Sequence, residues 1–509
     1  MIRVLMTNFF FAKYTGPELH ILEMARLFEK RGFEVTIAVF EKAYPLLAKT
    51  GTIHVIDVLK EKLENVDYDI VFVQHYPVLD FLCCKYNISY KKLIVSKLSV
   101  INDLEHLPVC TSESDLILCV SDECADEVYK TIGKNPKVRV FKNSVSAEFF
   151  DAYNNKSNNH ELKKIAIISN HVPEELQEFS QIVNGQYEVD YIGIQYLPRL
   201  VDVELLKKYD LIVTIGRTVQ QCFAIGIPVY VYDYFGGPGY INDDNFDEAE
   251  KNNFSGRGEF GKKTAWELKI DIVSNYEKNL LNLEKFNSIA KKEYSYELNF
   301  EQLYHELLPE EDWSSKEMNY YKGTEKQRIA LYSKAAPRYV LENSIVSQLY
   351  FDYGDGFGET NSIKWNSCEI YSITRKIDVS RSVKRLRFDP CDVPAECTIS
   401  EIYINGKLKE EYSGTQKSFF DFDPQFIIEL SEEEQTSDKL SIEIVYKFKK
   451  LSWEKSSSIY CKEHAELWYQ LSVSKNRIKE LEETIEAIKE YYKMTPENII
   501  RRLLHLFQR

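Results

Sequence analysis

The sequence has 509 residues, 44% hydrophobic and 28% charged, with a formal net charge of −15 at neutral pH. That balance fits a soluble chain of about three to four domains, each long enough to bury a core. It argues against a broad nucleic-acid footprint. No run approaches the ~20 apolar residues of a membrane-crossing helix.

The ten cysteines are scattered, without a C-x-x-C pair. Neither a disulfide frame nor a zinc site is expected, and the compartment reads as reducing and cytoplasmic. The opening residues 1–6 are too short an apolar run for a signal peptide.

The first forty residues read as a βαβ unit. A strand is predicted at 3–7, then a helix opened by Pro17, whose missing N–H costs nothing in a first turn. Ile21, Leu22, Ala25 and Phe28 share one helical face, Lys30 and Arg31 suit the last turn, and Gly32 follows. A nearly continuous apolar strand at 35–40 suits a parallel sheet covered on both faces. Further strands are predicted at 69–73, 93–96, 116–120 and 138–141, and Ser121 can cap a helix over 122–131. This domain is bounded at 1–150, and the polar stretch 154–159 is a linker.

A second α/β domain spans 160–310, with strands predicted at 165–168, 187–191, 211–214 and 228–232. Two such domains in series leave a ligand cleft at the carboxyl ends of their strands. A helical linker is expected over 311–344. Over 345–450 the period changes to short alternating runs, with Asn405-Gly406 as a hairpin signal, which predicts a small antiparallel β-sandwich. The tail 460–509 reads as a coiled coil followed by an amphipathic helix. Leu467, Leu471, Ser474, Ile478, Leu481, Ile485, Ile488 and Tyr492 form an a/d seam, so self-association through 467–492 is expected. The last helix can rest on a membrane surface or dock on its own protein.

The stretch 210–240 is the richest in chemistry. A strand runs into Gly216-Arg217-Thr218, a helix through Gln221 follows, and Gly226-Ile227-Pro228 opens the next strand. A glycine before a helix lets backbone amides and the positive helix end meet a phosphate. Thr218 adds a hydroxyl and Arg217 a fixed charge. The same residues also fit an ordinary strand–helix–strand unit. Gly236 and Gly237 read either as a backbone that approaches a ligand closely or as a surface turn. Arg257, between Gly256 and Gly258, is a mobile phosphate clamp or a solvated loop residue. Asn170 and His171 follow the first strand of the second domain, and such a histidine is also a common structural donor. His75 and His106 are candidate bases for a hydroxyl, or simply loop histidines.

The segment from Gln221 to Val229 resembles the donor domain of GT-B glycosyltransferases, where many members carry Glu-Ala-Met-Ala-x-Gly-x-Pro-Val. Tyr14-Thr15-Gly16-Pro17-Glu18 resembles the acceptor-side glycine loop of that family, and Asn143-Ser144-Val145 its Asn-Gly-Val domain closure. The block Thr214 to Arg257 looks like that of bacterial surface-polysaccharide enzymes. Many retaining members have two glutamates separated by seven residues. Val213 and Gln221 stand there instead, and valine cannot replace a carboxylate.

The resemblance implies an α/β chain of two Rossmann-like domains, ahead of the sandwich and helical tail. It implies sugar transfer from a nucleotide-diphosphate sugar to a glycan or lipid-linked acceptor, without metal or other cofactor, in the cytoplasm or at the inner membrane face. Catalysis would then fall to His75 or His106. Donor binding would fall to Asn170, His171, Gly216, Arg217, Thr218, Gln221, Gly236, Gly237 and Arg257, and the acceptor loop to Gly16 and Glu18. Two rivals remain: a non-catalytic glycan-binding scaffold on the same body, and a nucleotide-sugar 2-epimerase.

Overall fold

The structure is a computed structural model that describes residues 1–153, 161–193, 196, 199–307, 313–318, 344–419, 424–451 and 481–482. Seven strands form the first sheet: β1 (Arg3–Thr7), β2 (Glu34–Val39), β3 (His54–Asp57), β4 (Ile70–Val73), β5 (Lys92–Lys97), β6 (Leu116–Cys119) and β7 (Val138–Val140). Their order is β7-β6-β5-β4-β1-β2-β3, parallel throughout. Helix α1 (Gly16–Lys30) buries Ile21, Leu22, Ala25 and Phe28 against this sheet. All four residues of β4 are buried, as a strand covered by helices on both faces must be.

The second sheet holds β8 (Lys164–Ile168), β9 (Glu188–Ile192), β10 (Leu211–Thr214), β11 (Val229–Asp233) and β12 (Gly236–Tyr240), in the order β9-β8-β10-β11-β12. The first four strands are parallel and β12 returns antiparallel. The chain leaves β8 for β9 on one side, then places β10 on the other. A switch point therefore opens between the carboxyl ends of β8 and β10. Helix α2 (Arg217–Ile225) starts there.

The two cores exchange chain at the boundary expected between 1–150 and 160–310. Val145 and Phe149 already pack in the second core, while Tyr296, Phe300 and Leu303 of helix α3 (Tyr296–Leu307) pack in the first. The chain thus crosses twice, and the crossings pair: Val145 N–H donates to Tyr294 O at 2.7 Å and Tyr296 N–H to Val145 O at 3.1 Å. Within the expected helical linker, Lys316–Glu317 is instead a short strand against Ser89–Tyr90.

Among the described residues the sandwich has nine strands: β13 (Ile345–Asp352), β14 (Ser362–Ser367), β15 (Ile373–Val379), β16 (Arg385–Asp389), β17 (Ala395–Ile404), β18 (Lys407–Leu408), β19 (Thr415–Phe419), β20 (Phe426–Glu429) and β21 (Leu440–Lys450). One sheet runs β14-β13-β16-β20. The other runs β15-β21-β17-β18, with β19 also on β17. Asn405 and Gly406 take φ of 49° and 77°, both positive as a type I′ hairpin requires. The sandwich docks on the first domain: Tyr44 N–H donates to Asn366 O at 3.0 Å, and the buried Cys368 thiol lies 3.4 Å from the Ala12 and Tyr44 carbonyls. Among the described residues no helix is long and apolar enough to cross a membrane. The expected coiled coil and last helix, 460–509, lie outside the described residues except Leu481 and Glu482.

Candidate functional site

A cavity of about 250 Å³ opens between the first two domains at the β8/β10 switch point. Its far wall carries Ser169, Asn170 and His171 after β8, Thr214 ending β10, and Arg217, Thr218 and Gln221 of α2. Lys13, Tyr14 and Gly16 face them from the first domain.

The turn into α2 needs its glycine. Gly216 sits at φ 62°, ψ −138°, a region almost closed to residues with a Cβ. Its N–H donates to Phe254 O at 2.9 Å, which fixes the turn. The next amides, of Arg217 and Thr218, are the first two of the helix and have no acceptor within it. They add to the positive helix end beside the cavity. Gln221 lies one turn on, on the same face as Arg217. It is buried on the cavity wall.

Asp233 ends β11 and is the only carboxylate among the described wall residues. Ser169 Oγ lies 2.9 Å from both its oxygens, and Tyr234 N–H donates at 2.8 Å. Burial still outweighs these bonds and raises its pKa from 3.8 to about 6. The folded state therefore holds the extra proton between those values, and stability is lost as pH rises through that window. Asp233→Asn is expected to melt higher than the parent at neutral pH, by ~2 kcal/mol. The two should melt alike below the ordinary aspartate range. Thermal melts across pH check this, and a parallel profile for the two proteins would reject it.

The other residues expected to carry chemistry are placed as follows. Arg217 lines the cavity, but its Nη2 pairs with Glu23 of α1, and its buried Nε has no partner among the described residues. Arg257 lies off the cavity wall. Its Nε and Nη2 meet Glu123 Oε1 and Oε2 at 2.8 and 2.5 Å, a bidentate pair across the domains. Both guanidiniums expected for the diphosphate are thus engaged by first-domain carboxylates.

Gly236 and Gly237 open β12 directly after the Tyr234–Phe235 turn and lie off the wall of the interdomain cavity. They are buried in β12 because backbone approaches too closely for any side chain. A Cβ on Gly236 would sit 2.5 Å from Gly261 O, and one on Gly237 2.1 Å from Val231 O. His75 is buried inside the first domain. Its Nδ1 accepts from Phe9 N–H at 3.0 Å, and its Nε2 faces Glu105 at 3.7 Å. His106 is exposed and borders a separate pocket with Lys97 and Glu127. Neither histidine lines the interdomain cavity. Glu18 is buried and accepts from the amides of Ala12 and Lys13 at 2.8 and 2.9 Å. It folds the loop that presents Lys13 and Tyr14.

Lys13 and Arg199, which no sequence pattern singles out, are cations on this wall with no carboxylate partner among the described residues. Neither belongs to a recognisable motif. The same holds for His20, Gln74 and Asn8 beneath the wall. Gln74 Nε2 donates to Asn8 Oδ1 and Pro17 O, which turns its Oε1 to His20 Nδ1 at 2.9 Å. That network assigns the proton to Nδ1. Burial pushes the His20 pKa down to about 4, so the ring is neutral near pH 7.

No family description and no curated protein matches the chain. Solved structures do. Anabaena HepE in complex with UDP is 12% identical, with 60% of this chain and 99% of that one covered at a TM-score of 0.40. A glycosyltransferase from Rickettsia africae is 13% identical, with 61% and 99% covered at 0.39. A UDP-N-acetylglucosamine 2-epimerase is 13% identical, with 60% and 96% covered at 0.36. Likeness at this level assigns neither activity to this chain.

Proposed function

We propose that the chain transfers a sugar from a nucleotide-diphosphate sugar to a glycan or lipid-linked acceptor. One observation carries this reading: at a switch point, open helix-start amides and two cations without a carboxylate partner among the described residues, Lys13 and Arg199, border one interdomain cavity. That is a setting for a dianionic leaving group.

In the reaction the bond from the anomeric carbon to the β-phosphate oxygen breaks, and the acceptor oxygen bonds that carbon. The charge on the departing diphosphate falls to the Arg217 and Thr218 amides, Lys13 and Arg199. Gln221 offers its amide to a ribose hydroxyl. Asn170 and His171 edge the same wall. The acceptor hydroxyl must lose its proton, and Asp233, whose pKa burial raises towards neutrality, is the wall carboxylate placed to take it.

Isothermal titration with UDP tests the site. Lys13→Ala and Arg199→Ala are each expected to weaken binding about tenfold, the loss of one charge-assisted contact. Unchanged affinity in both would remove the diphosphate from this cavity, and no UDP binding by the parent would favour the scaffold.

A further inference from the structure

A second groove, of about 640 Å³, opens off the donor cavity and shares Tyr14 and Arg199 with it. All three folded parts line it: Tyr44 and Lys49 from the first domain, Arg199 from the second, Tyr371 and Arg375 from the sandwich. Its size lies within the ~300–1,000 Å³ of ligand sites.

The groove is aromatic and cationic. The Arg199 guanidinium lies 4.5 Å over the Tyr371 ring, which ties the second domain to the sandwich. Arg375 lies 4.7 Å over the Tyr44 ring, donates to its hydroxyl, and keeps a buried Nε with no partner among the described residues. Lys49 is exposed and has no carboxylate partner among the described residues. Asp202 is the one wall carboxylate among them, and its Oδ1 already accepts Leu205 N–H at 2.8 Å. The further wall lysine, Lys376, pairs with Glu443 at 3.0 Å. On a chain of net charge −15 this is a sharp local reversal of sign.

Resting on the transfer reading above, we propose that this groove is the acceptor subsite, and that the acceptor is a glycan bearing anionic groups. The tyrosine rings offer flat apolar faces to sugar rings and hydroxyls at their edges. Lys49 and Arg375 match carboxylates or phosphodiesters along the glycan. The shared Tyr14 and Arg199 mark the end from which the acceptor hydroxyl enters the donor cavity. The sandwich thereby forms one wall of the site and selects the acceptor.

The full chain is titrated by calorimetry with three oligomers of matched length: oligogalacturonate for carboxylates, oligo(glycerol phosphate) for phosphodiesters, and neutral dextran. At least one charged oligomer is expected to bind about tenfold more tightly than dextran. Lys49→Glu and Tyr371→Ala, both at exposed positions, should each weaken that binding about tenfold. The proposal is overturned if dextran binds equally well, if neither charged oligomer binds, or if both variants bind as the parent does. UDP titrated into the same protein separates the readings. UDP binding without charged-oligomer binding rejects this subsite alone, whereas absence of UDP binding rejects the transfer reading beneath it.

Discussion

Glu23→Gln is expected to lower the melting temperature and, at the same time, to tighten UDP binding. Glu23 on α1 and Arg217 on α2 form an ion pair between the domains, with side chains only 18% and 14% exposed. Removing the carboxylate leaves a desolvated guanidinium without its counter-charge, at a cost of ~2–4 kcal/mol. The same change frees Arg217, which already lines the donor cavity. Its net charge there rises by one, and the Coulomb gain for a diphosphate is on the order of 1 kcal/mol. UDP affinity should therefore rise severalfold, while Arg217→Met should lower both stability and affinity. The double variant Glu23→Gln with Arg217→Met should be less unstable than the sum of the single changes, because no unpaired charge remains. Thermal melts and UDP titrations of the four proteins check this. If Glu23→Gln weakened UDP binding, the carboxylate would be positioning Arg217 for the ligand rather than competing with it.

These pairings also mark where local sequence stops being informative. The parallel strands were legible because strands buried on both faces are written as apolar runs, as in β2 and β10. The start of α2 was legible because Gly216 and the Gly226-Ile227-Pro228 step punctuate it on either side. The partners of its charges were not, since Glu23 and Glu123 lie 194 and 134 residues from Arg217 and Arg257. No period or spacing brings them together. Only the double crossing at Val145 and Tyr296 does. Lys13 and Arg199 stayed hidden for the same reason: each is an ordinary loop cation until the domains face one another. Gly236 and Gly237 carry a constraint that the glycine pattern alone does not display. Gly236 does take a positive φ of 87° where the β11–β12 turn ends, but both glycines also lie where the Gly261 and Val231 backbones approach. His75 looked poised at a strand end, yet the Phe9 amide takes its Nδ1 as acceptor. Glu18 was found in the right loop with a different task, because the amides it binds are those of the loop itself.

Gly193→Ala should abolish UDP binding and cost ~2–4 kcal/mol, although alanine is the smallest side chain that can be added. Gly193 follows β9 on the cavity wall, where Ser169 N–H donates to Ile192 O at 2.9 Å and the two chain segments run close together. A Cβ on Gly193 would lie 1.8 Å from Ser169 O and 2.7 Å from Ser169 C. The contact is with backbone, so no rotamer relieves it, and the segments must separate by roughly 1.5 Å in a close-packed sheet. Ser169 would move first. Its hydroxyl is the donor to Asp233, and Asn170 and His171 follow it along the wall. The damage would therefore reach both the floor of the cavity and its lip. Gly16→Ala is the matched control: Gly16 lines the opposite wall, and a Cβ there meets nothing within 4 Å. It should melt within about 0.5 kcal/mol of the parent and bind UDP as the parent does. Equal behaviour of the two variants would mean that the contact between β9 and Ser169 does not shape the donor site.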